Sequence, residues 1–108
     1  MSMRYDVILY RAADGTIPLT EWLAALRNAR ARLAIARRVQ RMADGNFGDH
    51  KSLGGGLWEL RIDCGPGYRA YYCLEGSRIV LLLCGGDKRG QDADIARARE
   101  YKKDYEQR

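Results

Sequence analysis

The residue types best suited to chemistry are concentrated in residues 57–74, LWELRIDCGPGYRAYYCL. Apolar and polar side chains alternate on both sides of Gly65-Pro66-Gly67, and this alternation predicts two antiparallel strands joined by a turn. The side chains expected on the polar face of this hairpin are Glu59, Arg61, Asp63, Arg69 and Tyr71. Guanidinium groups present planar donors that match phosphate oxygens. The polar face is therefore a candidate surface for binding a phosphate-bearing polymer.

The turn also predicts which side chains face each other across the hairpin. If Cys64 pairs with Tyr68 across the turn, the register places Arg61 directly opposite Tyr71. Side chains at directly opposite positions lie on the same face of the sheet. The opposite face would then be apolar and would contribute to the core. Its expected members are Trp58, Leu60, Ile62, Tyr68, Ala70 and Tyr72.

Each of these polar residues also has a purely structural interpretation. Arg61 and Arg69 could form solvated salt bridges with Glu59 and Asp63, which contribute little to stability in water. Glu59 could act as a base or could hold Arg61 in place. Tyr71 could stack on an exposed nucleotide base or pack within the sheet.

Further candidate residues lie outside the hairpin. Lys88 and Arg89 occupy a glycine-flanked loop after an apolar run, where either phosphate contact or plain solvation is open. His50 and Lys51 precede the hairpin, and the ordinary pKa of histidine suits proton transfer. A helix expected over residues 29–43 carries an arc of arginines that could bind nucleic-acid phosphates, meet acidic residues of a protein or be solvated. The arc comprises Arg30, Arg37, Arg38 and Arg41.

Composition bounds the class of protein. A chain of 108 residues is expected to form one domain, spanning residues 1–108. The net charge of +5 fits a polyanionic partner or an acidic protein partner. No secretion signal is recognisable, and no apolar run approaches the ~20 residues of a membrane span. We expect a soluble cytoplasmic protein, whose three cysteines are buried free thiols.

The remaining sequence predicts the elements that must position these side chains. Apolar residues at helical spacing predict the helices, and runs of β-branched and aromatic residues predict the strands. The elements expected outside the hairpin are strands at 5–10 and 78–84 and helices near 18–26, 29–43 and 91–106. The order is β-α-α-β-β-β-α. It predicts an α+β fold with a mainly antiparallel four-stranded sheet and helices packed on one face.

This element order, together with the segments LGGGLWELR, GPGYRAYY and LLLCGGDK, resembles the RelE/ParE superfamily of bacterial toxins. The resemblance is greatest to its HigB-like branch, often called addiction-module killer proteins. It implies a small toxin of a type II toxin–antitoxin system, neutralised by a cognate antitoxin of the helix-turn-helix, HigA-like kind. Many members cleave messenger RNA on the ribosome without a metal or other cofactor, whereas the ParE branch poisons DNA gyrase.

The resemblance also implies roles for individual residues. Arg61 matches the second of two basic residues that the RelE branch places on this strand, and Arg69 matches the arginine of the GYR motif. Lys88 and Arg89 match the basic pair after the last strand. HigB-type relatives use histidines, which makes His50 a candidate for proton transfer. Further RNA contacts are expected from Lys51, Arg89, Tyr71, Arg30, Arg37 and Arg41.

Two positions depart from the RelE pattern. Glu59 stands where the first basic residue of the strand would be, and Ile95 stands where that branch has a tyrosine. The acid–base group would then have to be one of His50, Glu59, Tyr71 and Tyr101. Three functions remain open from the sequence: a ribosome-dependent endoribonuclease, a ParE-like gyrase inhibitor, and a non-catalytic module that binds only the antitoxin.

Overall fold

The computed structural model describes residues 4–108, which form one five-stranded sheet and three α-helices. Along the chain, the elements are β1 (Asp6–Leu9), α1 (Pro18–Ala25), α2 (Ala29–Ala43), β2 (His50–Gly54), β3 (Leu57–Ile62), β4 (Tyr68–Glu75), β5 (Ile79–Asp87), a 3-10 turn (Lys88–Gly90) and α3 (Gln91–Glu106). The strand order is β1-β5-β4-β3-β2. Only β1 and β5 pair in parallel among these strands, so the α+β fold with a mainly antiparallel sheet is confirmed.

The sheet has five strands rather than the expected four. The additional strand, β2, lies in the segment predicted to be a flexible loop, and it pairs antiparallel with β3. Gly54, Gly55 and Gly56 all have positive φ angles, so they form a tight turn that returns the chain into β3. β2 is mostly exposed and lacks an alternating apolar pattern, which is why the sequence did not indicate a strand.

The helices cover both faces of the sheet, so the prediction that they pack on one face was wrong. Helices α1 and α2 bury one face, through Leu19 and Ile35 against residues such as Leu60. Helix α3 buries the opposite face, through Ala98 against residues such as Leu83. The central strands are apolar on both faces, and an uncovered second face would leave that surface in water.

The hairpin separates its two faces as expected but in a different register. Arg61 is directly opposite Arg69, and Glu59 is opposite Tyr71, whereas the sequence predicted Arg61 opposite Tyr71. The loop between the strands contains five residues, 63–67, in which Gly65 and Gly67 have positive φ angles. A shift by two residues keeps every side chain on its original face, so the division into apolar and polar faces is confirmed.

Two glycines near the end of β5 allow helices to approach the sheet from both sides. A Cβ atom on Gly85 would lie 2.3 Å from the Trp22 ring of α1, and one on Gly86 would lie 1.9 Å from Asp94 Oδ2 of α3. Both distances are far below van der Waals contact. The glycine pair of the CGGDK segment is therefore required for close packing on opposite faces of one strand.

Helix α3 is also held at its C-terminal end. The Tyr10 hydroxyl donates a 2.5 Å hydrogen bond to Asp104, and the Tyr10 ring stacks on Tyr101 at 4.8 Å between centroids. Burial, and then the hydrogen bond to Asp104, raise the pKa of Tyr10 to about 12. Within residues 4–108, no helix is both long and apolar enough to cross a membrane.

Candidate nucleic-acid interface

Residues from both strands of the hairpin and from the 3-10 turn surround one shallow depression of about 440 Å³, here called the arginine groove. Its lining residues are Asp49, Arg61, Asp63, Gly65, Pro66, Gly67, Arg69 and Lys88. The structure therefore brings Arg61, Arg69 and Lys88 together at one accessible surface. This surface lies at the end of the sheet that carries the loop between β3 and β4.

Glu59 links the two arginines behind the groove. Its side chain is 1% exposed, and its Oε1 atom lies 2.6 Å from Arg69 Nε and 3.4 Å from Arg61 Nε. The Arg61 contact is a hydrogen bond, whereas the Arg69 contact is an ion pair without the alignment of a hydrogen bond. The two guanidinium groups converge on one carboxylate oxygen. Their orientation is consequently fixed together.

The backbone around Arg61 is braced by Arg38 from α2. The Arg38 guanidinium donates to the carbonyl oxygens of Arg61 at 2.5 Å and Phe47 at 2.9 Å. Burial is the main cause that lowers the pKa of Arg38. Arg38 therefore has a structural role, although on the helical wheel it shares an arc with exposed arginines.

Lys88 and Arg89 separate at the 3-10 turn. The Lys88 amide donates to the Gly67 carbonyl at 3.1 Å, which ties the turn to the hairpin loop and brings Lys88 to the groove. Arg89 does not line the groove, and its side chain is 85% exposed. Asp87 accepts hydrogen bonds from the Arg89 amide and guanidinium, and these bonds lower the pKa of Asp87.

The structure does not bring His50 to the arginine groove. His50 pairs with Leu60, whose side chain lies on the α1–α2 face of the sheet. Its ring packs beside Phe47 and Trp58, and Nδ1 donates to the Gly48 carbonyl at 2.8 Å. Strand alternation explains this placement, because one position along β2 changes the face. A direct catalytic role for His50 at the groove does not fit this geometry.

Lys51, the next residue, has the opposite placement. It is exposed and pairs directly with Glu59, so it shares the sheet face of the arginines. Lys51 therefore adds a positive charge on β2 to the sheet face that carries Arg61 and Arg69.

Tyr71 is buried and cannot stack on a nucleotide base. Its side chain is 0% exposed and packs beneath α3. Burial, and then the charge of Glu59, raise the pKa of its hydroxyl well above the ordinary value. The expectation of a base-stacking tyrosine was wrong, because the polar face of the hairpin is covered by α3 at this position.

Arg30, Arg37 and Arg41 are exposed on α2, and none of them lines the groove. They form a separate basic surface on the helix that covers the other face of the sheet. Any contact that they make with a polyanion would be additional to contacts within the groove.

The proposed substitutes for an acid–base tyrosine do not face the groove. Tyr101 stacks on Tyr10 in the α3 core, and Glu59 lies behind the arginines. Two carboxylates do line the groove, Asp49 and Asp63. Sequence reasoning missed Asp49, which lies 3.9 Å from Arg61.

A third carboxylate lies close to this region on α3. Asp94 packs directly on Gly86, the residue paired with Arg69 on β5. Burial raises the pKa of Asp94, although Arg97 lies 3.3 Å from it. Among residues 4–108, no group of three or more histidine, cysteine or acidic side chains is arranged to hold a metal ion.

Comparison with known proteins gives this geometry a family context. Residues 21–105 match the family described as "Phage derived protein Gp49-like (DUF891)". The chain belongs to the Gp49-like family. This family is associated with toxin–antitoxin systems and is related to RelE/ParE-type addiction-module killers, which indicates an antitoxin as partner.

One relative of this Gp49-like chain comes from Haemophilus influenzae strain Rd and carries the description "Uncharacterized protein". It is 49% identical over 84 residues, which are 78% of this chain and 85% of the relative. The likeness covers most of both proteins.

Proposed function

We propose that this Gp49-like protein is the toxin of a type II toxin–antitoxin pair and a ribosome-dependent messenger-RNA endoribonuclease of the HigB-like kind. The observation that carries the proposal is the convergence of Arg61 and Arg69 on Glu59 at an accessible groove that Lys88 also lines. Fixed cations at a groove are what an RNA-cleaving site without a cofactor requires, because negative charge develops on the phosphate in the transition state.

In the proposed reaction, the ribose 2′-hydroxyl attacks the adjacent phosphorus atom and the 5′-oxygen of the next nucleotide leaves. The guanidinium groups of Arg61 and Arg69 stabilise the charged phosphorane through donors that match its oxygens. Lys88 contributes a third positive charge at the groove edge. The reaction needs no metal and no other cofactor.

Proton transfer is assigned to the carboxylates that line the groove. Asp49 or Asp63 accepts the proton of the 2′-hydroxyl, since both reach the surface where the phosphate would lie, and a water molecule donates a proton to the departing 5′-oxygen. The Asp49→Asn/Asp63→Asn double variant should bind RNA at least as tightly as the wild type and cleave it more slowly. Unchanged cleavage would exclude both residues as the base.

The exposed cations outside the groove are proposed to hold the ribosome. Arg30, Arg37 and Arg41 on α2, with Lys51 and Arg89, would contact phosphates of ribosomal or messenger RNA without reading sequence. Selection of the cleavage position would come from the decoding site. The proposed cellular location is the cytoplasm, and the proposed antitoxin is a helix-turn-helix, HigA-like protein.

A non-catalytic, antitoxin-binding function is the second candidate, and the charge of the groove favours it. Glu59, Asp49 and Asp63 offset the charges of Arg61, Arg69 and Lys88. Polyanion-binding surfaces are usually more strongly positive than this.

Induced expression without the antitoxin, followed by primer extension on cellular transcripts, separates the candidates. The endoribonuclease halts growth and leaves codon-phased cuts in messenger RNA. Growth arrest with intact transcripts and damaged DNA would instead indicate a ParE-like gyrase inhibitor. Unimpaired growth with normal protein accumulation would favour the binding-only module.

A further inference from the structure

Glu59 is a fully buried acidic side chain on β3, the strand between β4 and β2. It is 1% exposed, whereas the carboxylates that line the groove reach the surface. Removing a carboxylate from water costs several kcal/mol after relaxation. A well-packed apolar side chain at this position would avoid that cost, so the buried charge calls for an explanation other than stability.

The contacts of Glu59 are one-sided. Oε1 meets both Arg61 and Arg69, whereas Oε2 has no hydrogen-bond partner within residues 4–108. The hydroxyl of Tyr71, the cross-strand neighbour of Glu59, is likewise without a partner in that range. The polar contacts of this carboxylate are therefore made with the two guanidinium groups of the groove.

Those two guanidinium groups need an anion between them. Arg61 and Arg69 are directly opposite each other on β3 and β4, and like charges at directly opposed positions destabilise a sheet. The single carboxylate oxygen offsets this repulsion and restricts both side chains at once. Arg69 is held closely, with 16% of its side chain exposed, and Arg61 keeps 35% exposed towards the groove.

We propose that Glu59 is a positioning residue that orients Arg61 and Arg69 together for the phosphate. The proposal rests on the endoribonuclease function given above. Glu59 does not touch RNA, because the arginines lie between it and the groove. Its effect is preorganisation: the guanidinium donors are already aimed when negative charge develops on the phosphorane.

This role predicts opposite effects on binding and on chemistry when the charge is removed. Glu59→Gln keeps the size of the side chain and raises the positive charge of the site by one unit. RNA binding should therefore be unchanged or tighter, and KM should not rise. Because the guanidinium groups lose their shared anchor, kcat should fall by about 100-fold, the size of effect that small misplacements cause.

Glu106→Gln is the matched control. It removes one carboxylate from an exposed i,i+4 pair with Lys102 on α3, so the net charge of the protein changes equally. Cleavage of messenger RNA on purified translating ribosomes gives kcat and KM for the wild type and both variants. Nitrogen NMR of the arginine Nε–H groups reports the order of Arg61 and Arg69 independently of activity.

The expected result is a lower kcat, an unchanged or lower KM and newly mobile Arg61 and Arg69 Nε–H signals in Glu59→Gln, with Glu106→Gln like the wild type. A wild-type kcat in folded Glu59→Gln overturns the proposal. If the wild type itself does not cleave RNA, the proposed function fails, and unchanged arginine signals in Glu59→Gln would then overturn the positioning role separately.

Glu59→Asp is the second variant, used if Glu59→Gln does not fold. It retains the charge and shortens the side chain by one methylene, so it cannot reach both arginines equally. A folded Glu59→Asp protein should have a lower kcat than the wild type and more mobile Arg61 and Arg69 Nε–H signals, because the charge is retained but the shared contact is lost. Full wild-type activity and unchanged arginine signals in Glu59→Asp would contradict the need for the shared contact.

Discussion

Arg61 and Arg69 occupy directly opposite positions on β3 and β4, and both Nε atoms lie against the same oxygen of Glu59. This arrangement couples the two arginines through one buried carboxylate. It also means that substitutions at either arginine change the environment of a buried carboxylate. Removing either arginine therefore also alters the pairing of the Glu59 carboxylate.

Arg69→Ala is expected to lower the free energy of unfolding by about 3–5 kcal/mol, because it removes one partner of a buried ion pair. Adding Glu59→Gln to the same protein should recover part of the loss, since the stranded charge disappears. Chemical denaturation of the two single variants and the double variant measures the coupling energy.

The exposed Arg97 provides the control for that cycle. It pairs with Asp94 on α3 with 51% of its side chain in solvent, so Arg97→Ala should change stability by less than about 1 kcal/mol. Strict additivity of the Glu59 and Arg69 substitutions would contradict an energetic link between these residues.

Gly86→Ala should destabilise the protein by about 1–3 kcal/mol through overpacking, because its Cβ would collide with Asp94. Gly90→Ala is the comparison, since a Cβ there would lie 3.4 Å from the same carboxylate. The midpoint of thermal unfolding should fall clearly for Gly86→Ala and only slightly for Gly90→Ala. Equal midpoints would show that α3 does not pack closely on β5.

Alkaline pH should destabilise the fold. Burial raises the pKa of Tyr10 to about 12, of Cys73 to about 11 and of Cys84 to about 12, from ordinary values of 10.0 for tyrosine and 9.0 for cysteine. At a pH between the ordinary pKa and the raised pKa of each group, the unfolded chain has released a proton that the folded protein retains. The free energy of unfolding therefore falls as pH rises through that range. This contribution is fully present below pH 9 and is lost towards pH 12.

The denaturant midpoint, followed from neutral to alkaline pH, measures that decline. In Tyr10→Phe, the slope above pH 10 should be shallower, because one group no longer titrates, although the protein also loses the hydrogen bond to Asp104. A midpoint that stays constant or rises over this range would contradict the burial of these groups.

The hairpin shows how far the sequence could predict this site. Alternation was sufficient to place Arg61 and Arg69 on one face, because a side chain's face depends only on odd or even position along the strand. The pairing itself depends on loop length, which the positive φ angles of Gly65 and Gly67 determine. That information is conformational, and the residue types alone fit more than one turn.

Burial of individual polar residues was harder to predict than their faces. Tyr71 lies on the polar face of the hairpin, yet it is buried beneath α3, and nothing in the sequence indicated that α3 would pack opposite α1 and α2. Glu59 lies on the same face of the hairpin and is also buried. The same uncertainty affected His50. Its strand, β2, lacks an apolar pattern, so its face could not be read before its pairing with β3 was known.

The central claim is that paired guanidinium groups in the groove cleave RNA. Its most direct test compares the wild type with Arg69→Lys for cleavage of messenger RNA on purified translating ribosomes. Lysine retains the charge beside Glu59 but lacks the planar donors, so the fold should persist and kcat should fall by about 100–1,000-fold. Wild-type cleavage by folded Arg69→Lys would contradict the account.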